Sequence, residues 1–254
     1  MPVVHMFSCL SDNYGYLLHE PEHELTAAID TPDAEVIARE LEVTGWRLTH
    51  ILNTHHHGDH AGGNLELKSR TGCQIIGPGG DAARIPGIDR GVGDGDTIEF
   101  GDSVIEVFET PGHTSGHIVF LLREARIAFV GDTLFSLGCG RLFEGTPAQM
   151  WNSLQKIMAW PQDTQLYCAH EYTLANGRFA KTVEPHNEAL ASRLAEVEAL
   201  RARAQPSIPS TLATELQTNP FLRPDSAELR GVLGMPDAST VEVFARTRAL
   251  KDAF

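Results

Sequence analysis

Leu48-Thr-His-Ile-Leu-Asn-Thr-His-His-His-Gly-Asp-His60 begins as a short apolar run and breaks into a dense group of histidines around one aspartate. In an extended segment successive side chains point to opposite faces, so His55 and His57 share a side and His56 faces away. Gly58 permits a sharp change of direction, which brings Asp59 and His60 round to a neighbouring position. Imidazole and carboxylate are good ligands for zinc and similar divalent ions, and this spacing offers two pairs of them. One segment therefore starts two adjacent metal sites, and a hydrolytic metalloenzyme becomes the leading expectation. A histidine-rich surface loop would not need such ordered spacing.

Neither site is complete without ligands from further along, and the chain supplies them. His113 lies in Thr110-Pro-Gly-His-Thr-Ser-Gly-His117, after the strand-like run at 104–108. Asp132 follows the apolar run at 127–130, and His170 follows residues 165–169 in Cys168-Ala-His-Glu-Tyr172. Each stands where a strand runs out into a loop, the usual place for a scaffold to present functional side chains. Taken singly, a histidine there is an ordinary solvated or core residue, and an aspartate is a turn former or helix cap. Together with the first segment they make five histidines and two aspartates, enough for two metals with Asp132 as a bridge. A water between two such ions loses its proton near neutral pH and becomes a nucleophile. His56 and His117 are read as structural.

The order T-H-x-H-x-D-H, a strand-end His, Gly131-Asp-Thr133 and a late His resembles the metallo-β-lactamase superfamily. Asp12-Asn-Tyr14, Gly138-Cys-Gly-Arg-Leu-Phe-Glu-Gly145, Ala169-His-Glu-Tyr-Thr173 and Asn219-Pro-Phe-Leu-Arg223 resemble glyoxalase II, or hydroxyacylglutathione hydrolase, over essentially the whole chain. The resemblance implies two divalent metal ions, zinc foremost, with iron or manganese as alternatives. His55, His57 and His113 would hold one ion and Asp59, His60 and His170 the other, with Asp132 bridging. Asp59 and Asp132 are the residues assigned to catalysis. The implied reaction is hydrolysis of a glutathione thioester, S-(2-hydroxyacyl)glutathione, by the bridging hydroxide. Glutathione and a 2-hydroxy acid, D-lactate for a lactoyl group, would be the products of this second step of methylglyoxal detoxification. A thiolate leaves readily, so no dedicated general acid is required.

Substrate contacts follow from the same resemblance. Arg248 and Lys251 share a helix face and are expected to hold the glycine carboxylate of glutathione. Without the resemblance they read as a solvated basic patch at a helix C-terminus, where cations are favoured anyway. The family usually has Lys where this chain has Arg141, and Tyr where it has Phe143. Arg141 keeps the charge in a planar fork; Phe143 lacks the hydroxyl and is expected mainly to pack. Tyr172 matches the family and keeps its hydroxyl. Asp30 is either a partner of the metal ligands or a helix-start residue before Thr31-Pro32. The runner-up activities are a mononuclear iron persulfide dioxygenase of the same fold, whose relatives lack the C-terminal basic pair, and a non-catalytic metal-binding protein.

With 254 residues, 42% of them hydrophobic, the chain can bury a sizeable core. A formal charge of −14 argues against nucleic acid, which demands a basic surface. Cys9, Cys73, Cys139 and Cys168 form no CxxC pair, and no secretory signal pattern opens the chain. No apolar run approaches the ~18–20 residues that span a bilayer. The expectation is a cytoplasmic monomer acting on a small molecule, without a membrane or nucleic-acid partner.

The first two thirds alternate strands and helices, an α/β pattern (α+β by some schemes). Strands are predicted at 3–7, 14–18, 26–29, 48–52, 73–76, 97–100, 104–108, 118–122, 127–130 and 165–168. Helices are predicted at 34–44, 65–70 and 147–159, the last with Thr146 and Gln149 as a capping box. The alternation alone fits a doubly wound sheet equally well. The resemblance implies a four-layer αββα metallo-β-lactamase sandwich at 1–172, holding the metals. Strand-like alternation disappears after Thr173, and 173–254 reads as a helical C-terminal, substrate-binding domain. Helices are placed there at 187–204, 211–217 and 226–232, with a last one capped by Ser239 and Glu242.

Overall fold

The computed structural model describes residues 1–254, which divide into two units: 1–109 with 115–131, and 110–114 with 132–254. In the first unit β1 (Val3–Cys9), β2 (Asn13–Glu20) and β3 (Leu25–Ile29) form an antiparallel meander. Helix α1 (Ala34–Thr44) then crosses over to β4 (His50–Leu52), which pairs parallel to β3, as a helical crossover requires. After α2 (Gly58–Ala61) and α3 (Asn64–Thr71) come β5 (Gln74–Pro78) and β6 (Arg90–Val92), which complete the sheet in the order β1-β2-β3-β4-β5-β6. Asp33 caps α1 by accepting from the backbone N–H of Glu35 and Val36, and Gly45 stops it at φ 72°. Ile37 and Leu41 of α1 and Leu67 of α3 pack on Leu17, Ala28, Ile51 and Ile75 of the sheet. Each such side chain contributes roughly 1.5–3 kcal/mol when fully buried.

The second sheet of this unit is antiparallel: β7 (Thr97–Phe100), β8 (Ser103–Glu109), β9 (Ile118–Leu122) and β10 (Ile127–Gly131) run in the order β10-β9-β8-β7. Tyr16 of β2 meets Phe129 of β10 with ring centroids 5.5 Å apart, and His50 of β4 meets Phe100 of β7 at 5.6 Å. The two sheets therefore face each other, with α1 and α3 on the outside of the first.

The second unit holds the hairpin β11 (Leu134–Phe135) and β12 (Gly138–Cys139), then α4 (Pro147–Met158) and β13 (Gln165–Cys168). Thr146 and Gln149 make the capping box that their spacing predicts. Helices α5 (Thr173–Val183) and α6 (Glu188–Ala202) precede β14 (Ser210–Thr211), which pairs with β13. Helices α7 (Leu212–Thr218), α8 (Ala227–Leu233) and α9 (Thr240–Ala253) follow, α9 with its Ser239–Glu242 capping box. Phe179, Phe221 and Phe244 are buried and in ring contact, with centroids 6.0–6.1 Å apart. No helix is long and apolar enough to cross a membrane.

Several elements depart from the sequence expectation. Strands β6, β11, β12 and β14 hold two or three residues each, too few to show a period of two. Helix α5 lacks a side-chain cap at Tyr172, so no start signal marks it. Leu48, expected at the head of a strand, is buried just ahead of β4.

Candidate metal centre

In the first unit the backbone after β4 is pinned from both sides. The Thr54 N–H donates to Asp30 Oδ1 at 2.7 Å, and the Ile118 N–H donates to the Thr54 carbonyl at 2.9 Å. His55 is fully buried, its Nδ1 3.0 Å from Thr54 Oγ1, and its Nε2 lies 3.0 Å from His57 Nδ1. His56 turns the other way, as alternation dictates, with Nδ1 3.2 Å from Asp81 Oδ2 and Nε2 3.1 Å from Arg84 Nη1. Gly58 then opens α2, and the turn places Asp59 Oδ2 3.5 Å from His60 Nε2. The rings of His55 and His60 stand 4.0 Å apart, so the two predicted pairs are neighbours. His117 stacks on His55 at 4.8 Å.

Asp30 has one of the two roles that the sequence left open. Asp33 caps the helix, while Asp30 sits at φ 58° with Oδ2 2.8 Å from Thr54 Oγ1 and 2.8 Å from His60 Nδ1. An aspartate tolerates this left-handed backbone better than most residues. A carboxylate at Nδ1 takes that nitrogen's proton as a hydrogen bond and leaves Nε2 as the atom that could take a metal. Around it lies a shell of buried amides. The Nδ2 of Asn13 donates to Asp59 Oδ2 at 3.2 Å, that of Asn53 to the His60 carbonyl at 2.9 Å, and that of Asn64 to Asn53 Oδ1 at 2.7 Å. Asn53 and Asn64 were missed by sequence reasoning; the only available signal was an amide beside an apolar run.

The second unit brings the remaining three donors together. His113 and His170 place their Nε2 atoms 3.3 Å from Asp132 Oδ2 and 3.5 Å from Asp132 Oδ1 respectively. Each carboxylate oxygen thus faces a different imidazole, and all three residues are buried. His113 Nδ1 lies 2.9 Å from the Arg141 carbonyl, an acceptor that directs Nε2 towards Asp132. Tyr172 stacks on His170 at 4.8 Å with the rings 1° from parallel. Phe143 is 63% exposed and its ring packs on that of His113 with centroids 5.2 Å apart, so it flanks a ligand candidate.

The terminal basic residues are not a solvated patch. Arg248 is only 5% exposed, donates from Nη1 to the Cys139 carbonyl at 2.7 Å, and pairs with Asp252 at 3.0 Å. Its guanidinium lies 4.9 Å from the Phe221 ring centroid. Lys251 is half-buried, 5.3 Å from the Phe254 ring centroid; burial first, then the charges of Arg248 and Arg141, hold its pKa below the usual lysine value. Arg141 reaches towards Asp252 at 3.8 Å and is otherwise open to solvent. Three cations thus gather around Asp252, a setting that favours a further anion.

These donors suit a divalent ion. A tetrahedral ion with bonds of about 2.0–2.1 Å holds neighbouring ligand atoms about 3.3 Å apart. The four donor pairs described stand at 3.0–3.5 Å. Known proteins decide the lineage. Residues 25–170 match the metallo-beta-lactamase superfamily, and 171–254 match the hydroxyacylglutathione hydrolase C-terminus. A hydroxyacylglutathione hydrolase of Maricaulis maris is 54% identical over 99% of this chain and 98% of its own.

The chain belongs to the hydroxyacylglutathione hydrolase family.

A second member of that family, from Methylococcus capsulatus, is 54% identical over 96% of both chains. Among solved structures, ETHE1 from Myxococcus xanthus has a TM-score of 0.67 at 23% identity over 99% of each chain, a likeness of fold. TTHA1623, solved in a di-iron-bound form, has a TM-score of 0.60 at 25% identity, covering 87% of this chain and 100% of its own. The chain has the metallo-β-lactamase fold of the family, is a hydrolase and carries a divalent-metal site.

Proposed function

We propose that the chain hydrolyses S-(2-hydroxyacyl)glutathione, with S-D-lactoylglutathione as the leading substrate, at a centre of two divalent ions. His55, His57 and His113 would hold one ion and Asp59, His60 and His170 the other, with Asp132 shared. Asp132 carries the proposal: its two oxygens face two different imidazoles, an arrangement that would let one carboxylate serve both ions. The match of residues 171–254 to the hydroxyacylglutathione hydrolase C-terminus favours this reading over a mononuclear iron enzyme of the same fold. Zinc is the first candidate for a set built from imidazole and carboxylate. Bound ions would supply a water of lowered pKa and Lewis-acid polarisation of the thioester carbonyl.

The chain's own residues do the rest. Asp30 and the Arg141 carbonyl fix the orientation of His60 and His113. Residues 173–254 would act as the substrate-binding domain and residues 1–172 as the metal-binding one. Lys251, Arg141 and the Arg248–Asp252 pair form a basic seat for the glycine carboxylate, and Tyr172 would contact the peptide. Water contributes its hydroxyl to the acid as the C–S bond breaks, and its proton goes to the departing thiolate. All four cysteines are buried and in no disulfide; burial pushes Cys9 and Cys168 up to about 12, which keeps them unreactive. Thiols outside any disulfide suit a reducing compartment, in keeping with a cytoplasmic location; a monomer is the oligomeric state we propose.

A turnover screen comparing S-lactoylglutathione with coenzyme A thioesters tests the assignment; a preference for the coenzyme A compounds would overturn it. Lys251→Met keeps the apolar stem and removes the charge. A charge-assisted contact contributes roughly 1.5–3 kcal/mol, so KM should rise about ten- to hundredfold. If the contact is equal in ground and transition states, kcat changes little. An unchanged KM would free Lys251 from this role.

A further inference from the structure

Residues 132–141 form one short excursion that carries two parts of the metal centre. Asp132 opens it, β11 and β12 are its arms, and the Arg141 carbonyl that orients His113 closes it. Each arm has two residues, and the turn holds Leu137 at φ 60°, a backbone that costs a leucine energy. Such a hairpin has no stability of its own, so its shape must be imposed from outside.

The pegs come from the C-terminal helices. Glu215 of α7 is 1% exposed. Its Oε1 accepts from the hydroxyls of Ser136 at 2.8 Å and Ser210 at 2.5 Å. Its Oε2 accepts from the Leu137 N–H at 2.8 Å and from Asn219 Nδ2 at 3.1 Å. Asn219 Nδ2 also reaches the carbonyls of Phe135 at 3.1 Å and Gly138 at 2.9 Å. Asn176 Nδ2 of α5 donates to the Ser136 carbonyl at 3.1 Å, and Arg248 of α9 holds the Cys139 carbonyl.

We infer that Glu215 is a positioning residue for the metal centre: through the 134–139 hairpin it sets where Asp132 and the Arg141 carbonyl stand. The C-terminal helices therefore shape metal affinity as well as substrate binding. This rests on the proposed ligand roles of Asp132 and His113. Glu215 is suited to the task because its two oxygens accept four hydrogen bonds from four donors that converge on it. A glutamine keeps one accepting oxygen, and its NH2 either opposes the Leu137 and Asn219 donors or forces both serine hydroxyls to turn and accept, so the original set of four bonds cannot persist.

The test is zinc affinity of the full-length protein by competition with a chromophoric chelator, with the visible spectrum of the cobalt-substituted protein as second readout. Removing an outer partner of a metal ligand costs about ten- to hundredfold in metal affinity, and Glu215→Gln should fall in that range with an altered cobalt spectrum. Ile37→Ala, a buried change in α1 whose core cluster contains no residue of the hairpin, should lower thermal stability yet leave affinity and spectrum as in the wild type. If Glu215→Gln does not fold, Asn176→Ala decides; it cuts the peg on Ser136 with Glu215 intact and should weaken zinc in the same direction. Wild-type affinity and spectrum in the deciding variant overturn the inference. A wild-type protein that binds no divalent ion overturns the metal assignment itself, and this inference with it.

Discussion

Asp132→Ala should strip the centre while leaving the protein folded. The carboxylate is buried between His113 and His170, and it is the one donor proposed to serve both ions. Losing it removes a negative charge from each site and the link between them. Metal assistance is worth several kcal/mol of transition-state stabilisation, and each ~1.4 kcal/mol is tenfold in rate, so kcat/KM should fall by about three powers of ten or more. Stability of the metal-free form should change little, because a buried carboxylate is itself costly to desolvate. Elemental analysis after dialysis, steady-state kinetics and a melting curve of the chelated protein check the three parts. Full metal content in the variant would remove Asp132 from the ligand set.

Gly140→Ala should be almost as damaging without touching a donor. A Cβ there would stand 2.0 Å from the Asp132 carbonyl oxygen and 3.2 Å from His113 Nδ1. The backbone must move, at a cost of about 1–3 kcal/mol, and whatever moves carries Asp132 or the His113 support with it. A displacement of about 1 Å at a reacting centre costs about a hundredfold, which is the expected fall in kcat/KM. Gly231→Ala is the comparison, since nothing lies within 4 Å of a Cβ at that position and activity should be unchanged. Equal activity in both variants would show that the 132–141 segment can adjust freely.

Both expectations concern residues whose importance is unequally visible in the sequence. The donors are legible because the extended chain that leaves β4 ties spacing to side: His55 and His57 share a face, and Gly58 marks where the chain turns. The structure brings His55 to His57, Asp59 to His60, and His113 and His170 to Asp132 within their own units. Long strands and capped helices are legible for the same reason, as α1 and β9 illustrate with bounds that match the pattern.

What escapes is whatever has no period and no local partner. Glu215 lies in a seven-residue helix and resembles any surface glutamate until Ser136 and Asn219 are seen around it. Arg248 reads as solvated because cations are common near helix ends, and only the fold shows its guanidinium against Phe221 and Cys139. Asp30 could not be assigned from its position alone, since a strand-end aspartate before Thr-Pro suits a cap as well as a histidine. The two-residue arms β11 and β12 owe their conformation to residues about 80 positions away, as the Asn219 contacts of Phe135 and Gly138 show.

Zinc titration of the metal-free protein, read as turnover of S-lactoylglutathione, tests the dinuclear thioesterase most directly. Activity should be absent without metal, rise on addition, and reach its plateau at two equivalents per chain. A plateau at one equivalent, or turnover indifferent to metal, would contradict it.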